Sequence, residues 1–321
     1  MRITNYELRM TNLKSALRFF VILCALCAFA GNSFGQKASL ERQTEFLEQT
    51  EILSRLLTSG TNEQKRDALL QIRNLETEAA SRLAVPALRD DSEIVRATAA
   101  ASVVFLPADE AAQNLIPLLA DKKPFVRREA ASALGRVGDS NAINSLLRIL
   151  QKDKILEVRN AAIVALGEIG DAAAVSELIK ILQRKPQAKE EFARRSAARS
   201  VGQIAQIIQT GEIQVLTPKN FLPEQFGLIE QPKYPQLTEQ FPQFRPAIGA
   251  LIETLRNPKE FPDVKREAAF ALGAIGDEAA IPILQANAND EDYYLAEICR
   301  ESLLKITVAV NRRMIDKVKL P

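Results

Sequence analysis

Two tandem stretches constrain this chain more than anything else in it. VRREAASALGRVGDSNAINSLLRIL begins at Val126, and VRNAAIVALGEIGDAAAVSELIKIL begins at Val158, thirty-two residues later. With the valine as offset 0, the copies share Val and Arg at 0 and 1, Ala at 4, Ala-Leu-Gly at 7 to 9, Gly-Asp at 12 and 13, and Ala at 16. A self-similar period of this length means a stack of like units, each burying an apolar face against its neighbours.

Each copy reads as two helices with their punctuation. Val126, Ala130, Ala133, Leu134 and Val137 fall at helical spacing and make one apolar stripe. Gly138 can take the left-handed conformation that ends a helix, and Asp139 suits the cap of the next. Ala142, Ile143, Leu146, Leu147 and Leu150 then line the second helix. Gly135 sits mid-helix, where glycine costs roughly 1 kcal/mol relative to alanine, so close contact with a neighbouring helix is expected there.

The pattern VRxxAAxALGxIGDxxA resembles the HEAT-like repeat associated with phycobilisome lyases. The resemblance implies an all-α solenoid, here of about seven HEAT-like helix pairs, and it leaves function open because scaffolds, chromophore lyases and enzymes all use it. The register starts with a degenerate copy at Gln64 and continues at Val95, Val126, Val158, Ala193, Val264 and Leu295. Ahead of it, residues 37–60 read as a polar-faced capping helix; residues 61–207 and 246–321 hold the repeats and a C-terminal cap.

One copy is interrupted. The first helix of the unit at Ala193 is expected to end near Gln206, and its second helix reappears as PAIGALIETL. The insert between them, residues 208–245, holds Pro218, Pro223, Pro232, Pro235 and Pro242, a density that blocks helix and sheet interior. It also holds Phe221, Phe226, Tyr234, Phe241 and Phe244. Long loops in compact arrays are functional or disordered, and aromatics dominate interface hot spots. These five are therefore candidate partner contacts, against a reading in which the phenylalanines fold back onto neighbouring helices.

Charges recur with the period. Arg96, Arg127, Arg159, Arg194 and Lys265 share offset 1, while Asp90, Asp121, Asp153 and Asp290 share offset −5. Such a ladder pairs acid with base between neighbouring units and fixes their register. The second helices should line the concave face, where Gln113, Asn114, Asn144, Ser145, Arg148, Glu177 and Lys180 point outward. Those side chains build no single-sign field; Arg148 and Lys180 are the cations placed to receive an extended peptide.

Residues 1–36 form a separate object. Arg2, Arg9, Lys14 and Arg18 precede the apolar run from Phe19 to Ala30, and small residues follow. This is the pattern of an export signal with cleavage after Ala30 or near Gly35, and Met10 could serve as the start. The run is short of the about 20 residues that span a bilayer, so the mature chain is expected to lack a membrane span and to be periplasmic or extracellular. Against a whole-chain net charge of +2, removing this +3 segment leaves −1, which takes away the support for nucleic-acid binding. Cys24 and Cys27 leave with the segment, and Cys299, at an alanine position of its repeat, reads as a core residue.

Chemistry is hard to find by motif. With no histidine in the chain, His-based metal sites and Ser-His-Asp or Cys-His nucleophiles are excluded. That also sets aside the di-iron chemistry of the HEAT-like member deoxyhypusine hydroxylase, whose ligands include His-Glu pairs. No phosphate-binding glycine loop is present. Carboxylate or thiol chemistry stays open without a motif. The expectation is an exported, non-catalytic scaffold without cofactor that binds a protein or peptide. The alternative is a small-molecule, bilin-type handler or lyase of the same repeat family.

Overall fold

The computed structural model describes residue 46, residues 48–211, residue 233 and residues 236–318. Residues 48–59 are helical and belong to a compact unit, Met1–Ser59, separate from the unit Gly60–Pro321. The export-signal expectation for residues 1–36 lies outside the described residues.

In the larger unit the helices alternate as the period requires. The first helices of the pairs are α1 (Asn62–Asn74), α3 (Glu93–Ser102), α5 (Pro124–Val137), α7 (Leu156–Ile169), α9 (Glu191–Thr210), α12 (Pro262–Ile275) and α14 (Tyr293–Val318). The second helices are α2 (Glu78–Ala84), α4 (Ala108–Leu115), α6 (Ile143–Lys152), α8 (Val175–Leu182), α11 (Phe244–Arg256) and α13 (Ile281–Asn287), and α10 is a single turn at Leu237–Gln240. No strand occurs among the described residues. This is an α-solenoid.

The punctuation works as its residues dictate. Gly138 and Gly170 end α5 and α7 with φ of 75° and 79°, the left-handed region that costs a residue with a Cβ. The next residue, Asp139 or Asp171, accepts the N–H of Asn141 or Ala173 at 2.7 and 2.8 Å and so caps the short 3-10 turn that leads into the second helix.

Each first helix packs on the first helix of the next pair, and where offset 9 holds Gly135, Gly167, Gly202 or Gly273 that glycine sets the approach. A Cβ on Gly167 would lie 2.8 Å from the Cα of Ser200, one on Gly273 2.8 Å from that of Ser302, and one on Gly135 2.7 Å from that of Ala165. Serine at offset 7 adds a hydrogen bond across the same seam: Ser102 Oγ donates to Leu69 O, Ser200 Oγ to Ile163 O and Ser302 Oγ to Ala269 O, each at 2.9 Å. Each serine is buried with its hydroxyl satisfied, so the small-residue seam carries no unpaired polar cost there.

The insert does not disturb this order. The helix before it runs to Thr210, four residues beyond the expected end near Gln206, and α11 starts at Phe244, inside the span read as loop. Across the interruption α9 packs directly on α12, and α11 takes a second helix's place beside α8 and α12. Arg194 of α9 and Glu260, just before α12, form an ion pair with side chains 1% and 0% exposed. The pair ties together segments 66 residues apart in sequence.

Candidate functional site

The cross-repeat ladder is present and has one missing rung. Lys65 Nζ meets Asp90 at 2.7 Å, Arg96 Nε meets Asp121 at 2.8 Å, and Arg127 Nε meets Asp153 at 2.6 Å. Both arginines use Nε and Nη2 against the two carboxylate oxygens, a fork-to-fork contact, and turn Nη1 to the carbonyl of their own repeat's aspartate. Burial pushes the Asp121 and Asp153 carboxyls up, but the arginine hydrogen bonds, a backbone N–H and the nearby positive charge together hold them below the usual carboxylate range. Farther along, Arg194 pairs with Glu260, and Arg266 takes Asp292 at 2.8 Å where Lys265 with Asp290 was expected.

Arg159 is different. It keeps the contact to its own repeat, Nη1 donating to Asp153 O at 2.7 Å. The next repeat begins thirty-five residues on, and the offset that holds Asp90, Asp121, Asp153 and Asp290 in other units holds Ala188. Among the described residues no carboxylate lies within ion-pair distance of Arg159. A cavity of about 350 Å³ opens here, walled by α6, α7, α8 and the start of α9. Leu150, Leu156, Ile163 and Ile181 form its apolar walls, and Asp153, Arg159, Asn160, Glu177, Lys180, Arg184 and Glu190 supply polar atoms. The acids are compensated: Asp153 by Arg127, Glu177 by Lys180 at 2.6 Å, and Glu190 by Arg184 at 3.8 Å. The buried Oδ1 of Asn160 has no hydrogen-bond partner.

Arg184 also lines a second cavity, of about 800 Å³, between the end of α8 and α11. Pro246, Gly249, Ala250 and Thr254 form its α11 wall, with Lys185, Glu253 and Arg256 around them. Both hollows adjoin second helices, where side chains stand farther apart than along the glycine seam.

Of the residues singled out in the sequence, Lys180 lines the first cavity, and Arg148 is exposed outside both. Phe221, Phe226 and Tyr234 lie outside the described residues. Phe241 is half-buried beside the α10 turn. Phe244 corrects its expected role as a partner contact: it is fully buried, because it shares a stripe with Ala247, Ile248 and Leu251 at helical spacing. Arg159 and Asn160 were not singled out as site residues, although the spacing that displaces the aspartate is visible in the sequence.

On the first-helix side two carboxyls are displaced the other way from the ladder aspartates. Burial raises Glu267 to about 7 against the opposing charges of Arg199 and Arg195, with Asp263 adding to the rise, and burial raises Glu168 against Arg136 and Arg199. Arg199 stands 3.9 Å from Glu267, whose Oε2 is buried without a partner. Cys299 is buried and its thiol is pushed up to about 12, in keeping with a core residue. Among the described residues no group of three or more His, Cys, Asp or Glu is placed to hold a metal ion. With no histidine in the chain, the residues present do not fit the di-iron centre that the family resemblance brings to mind.

The HEAT repeats family matches residues 80–166 and 112–202, and the PBS lyase HEAT-like repeat family matches residues 264–290. Among known proteins, deoxyhypusine hydroxylase-B of Oryza sativa subsp. japonica is 28% identical over 257 residues, covering 74% of this chain and 84% of its own. Deoxyhypusine hydroxylase of Schizosaccharomyces pombe is 40% identical over 53 residues, 16% of this chain and 17% of its own. Among solved structures, an engineered protein aligns with a TM-score of 0.50 at 19% identity over 80% of this chain and 68% of its own. The complex of CpcE and CpcF of phycocyanin lyase from Nostoc sp. PCC7120 aligns with a TM-score of 0.45 at 20% identity, over 82% and 92%.

The rice relative overturns the expectation that the chain is no enzyme, since the protein aligned over 74% of it carries an enzyme's name.

Proposed function

We propose that this chain, a HEAT-repeat protein with a repeat of the PBS lyase HEAT-like kind, works by binding an extended segment of a partner protein along its second-helix side. The observation that carries the reading is the pair of adjoining hollows between α6 and α11, joined at Arg184. First helices close on one another through glycine, alanine and serine, whereas these two hollows present apolar walls with a few placed polar groups. The N-terminal pattern of residues 1–36 supports placing the encounter outside the cytoplasm, and N-terminal sequencing of the mature protein tests that part.

The binding reading is tested with a photo-crosslinking amino acid placed singly at Lys180, Gly249 and Glu129 in the native host. Adducts with one common partner from Lys180 and Gly249, and none from Glu129 on the first-helix side, are expected. Adducts from Glu129 alone would contradict the assignment of the face.

The kinship with deoxyhypusine hydroxylases favours a second reading, in which the array acts on the segment it holds. Mass spectrometry on a deoxyhypusine-containing peptide incubated in air with the protein as purified and a two-electron chemical reductant decides it: a gain of one oxygen supports that activity, and an unchanged mass counts against it.

A further inference from the structure

We infer that the cavity at Arg159 is a carboxylate site that receives the C-terminal residue of the bound partner, an inference that rests on the binding reading and makes it specific. Arg96 and Arg127 show what this guanidinium is built to do. Each is aimed by an Nη1 bond to its own repeat's carbonyl, at 2.8 and 2.9 Å, and closes Nε and Nη2 on the next repeat's aspartate. Arg159 is aimed by the same bond to Asp153 O at 2.7 Å, and Ala188 occupies the position of that aspartate. A carboxylate brought by a partner would meet a fork already oriented by the backbone, which is the arrangement that gives arginine its preference for planar oxyanions.

Three features distinguish a chain terminus from a simple anion. Asn160, next to Arg159 on α7, lines the cavity and has a buried Oδ1 with no donor, and a terminal residue carries a peptide N–H on the same Cα as its carboxylate. Leu150, Leu156, Ile163 and Ile181 offer apolar walls to one side chain, and about 350 Å³ holds little more than that side chain and its carboxylate. The second hollow, reached past Arg184, lies where the preceding residues of the partner would run. Capture of a terminal carboxylate by aimed donors, with specificity from an adjoining pocket, is an established way of reading peptides.

The test uses the full mature chain and dye-labelled octapeptide pools, each ending in one fixed aliphatic, aromatic or charged residue, made both as free acids and as carboxamides. Fluorescence anisotropy is expected to show binding of free acids ending in an aliphatic residue and at least tenfold weaker binding of their carboxamides. Arg159→Gln should weaken the free acids at least tenfold while its circular dichroism stays that of the parent. Ala188→Asp, which supplies the ladder carboxylate internally, should do the same. Should Arg159→Gln fail to fold, Ala188→Asp and the comparison of acid with amide still decide the matter.

Equal binding of acids and amides, or a folded Arg159→Gln that binds normally, would overturn the assignment. So would displacement by acetate or inorganic phosphate at the concentration where N-acetylleucine displaces, since that marks a site for anions at large. If no pool binds while crosslinks from Lys180 and Gly249 still reach a partner, the terminus assignment falls and the binding reading stands; if both fail, both fall.

Discussion

The repeat beginning at Val126 and the one beginning at Val158 share much of their sequence, yet they differ in what the following repeat gives them. Arg127 and Arg159 hold the same offset on equivalent helices, and each donates Nη1 to the carbonyl of its own repeat's aspartate. Arg127 then closes on Asp153, while Arg159 faces a connection three residues longer, in which Ala188 holds the acid's position. In an array, the role of a side chain is written one unit downstream of it. The same residue is a strut in one joint and an available guanidinium in the next.

The strongest way to sharpen this contrast is to break the rung that follows the gap. Glu260→Gln leaves the Arg194 guanidinium buried without its counter-charge, and removing one partner of such a pair costs about 3–5 kcal/mol. Urea unfolding should show a loss of that size, and a loss no larger than that of an exposed pair would mean Arg194 is compensated in another way.

Next in size is a pH effect of opposite sign on the two sides of the joint. Glu267 titrates near 7 in the folded chain, above its ordinary range. The folded protein therefore holds an extra proton between about 4.5 and 7, so stability contributed below that window is lost as pH rises through it, on the order of 3 kcal/mol. Glu267→Gln should flatten the melting temperature between pH 5 and 8 and raise it at pH 8. The ladder aspartates Asp90, Asp121 and Asp153 are held below their ordinary range, so their contribution is present above about 4 and disappears as pH falls further. A melting temperature of the parent that stays flat from pH 5 to 8 would contradict the account of Glu267.

Smaller again is a pair of matched glycine replacements. Gly167→Ala pushes a methyl against the backbone of Ser200 and should cost about 2 kcal/mol. Gly249→Ala, mid-helix on α11 with nothing within 4 Å of a new Cβ, should gain up to about 1 kcal/mol. Equal effects in chemical denaturation would remove the distinction between a tight first-helix side and a looser second-helix side.

The tight side was legible in the sequence because its determinants are periodic. Val126, Ala130, Ala133 and Leu134 recur with the register, and mid-helix Gly135 reports close approach through the absence of a side chain. The serine bonds across the seam were not foreseen, since a lone Ser200 or Ser302 does not say which carbonyl it will meet. Phe244 could have been placed correctly, as its spacing to Ala247 and Leu251 already puts it in the core; its place in a proline-rich insert drew attention away from that stripe. The rung missing at Arg159 is also present in the sequence, in a spacing of thirty-five residues that puts Ala188 where Asp90, Asp121 and Asp153 stand in other units, but a ladder read as uniform conceals it. Kinship to an enzyme lay within the family resemblance, which includes deoxyhypusine hydroxylase, and was set aside because the chain holds no histidine.

The comparison between the two arginines is tested most directly by urea unfolding of Arg127→Gln and Arg159→Gln side by side at pH 7. Arg127→Gln should lose about 2–4 kcal/mol, because Asp153 is left 4% exposed without its partner. Arg159→Gln should lose no more than about 1 kcal/mol, the worth of a hydrogen bond to a carbonyl. Equal losses would show that Arg159 is a strut like the others and that no guanidinium in this array is held in reserve for a partner.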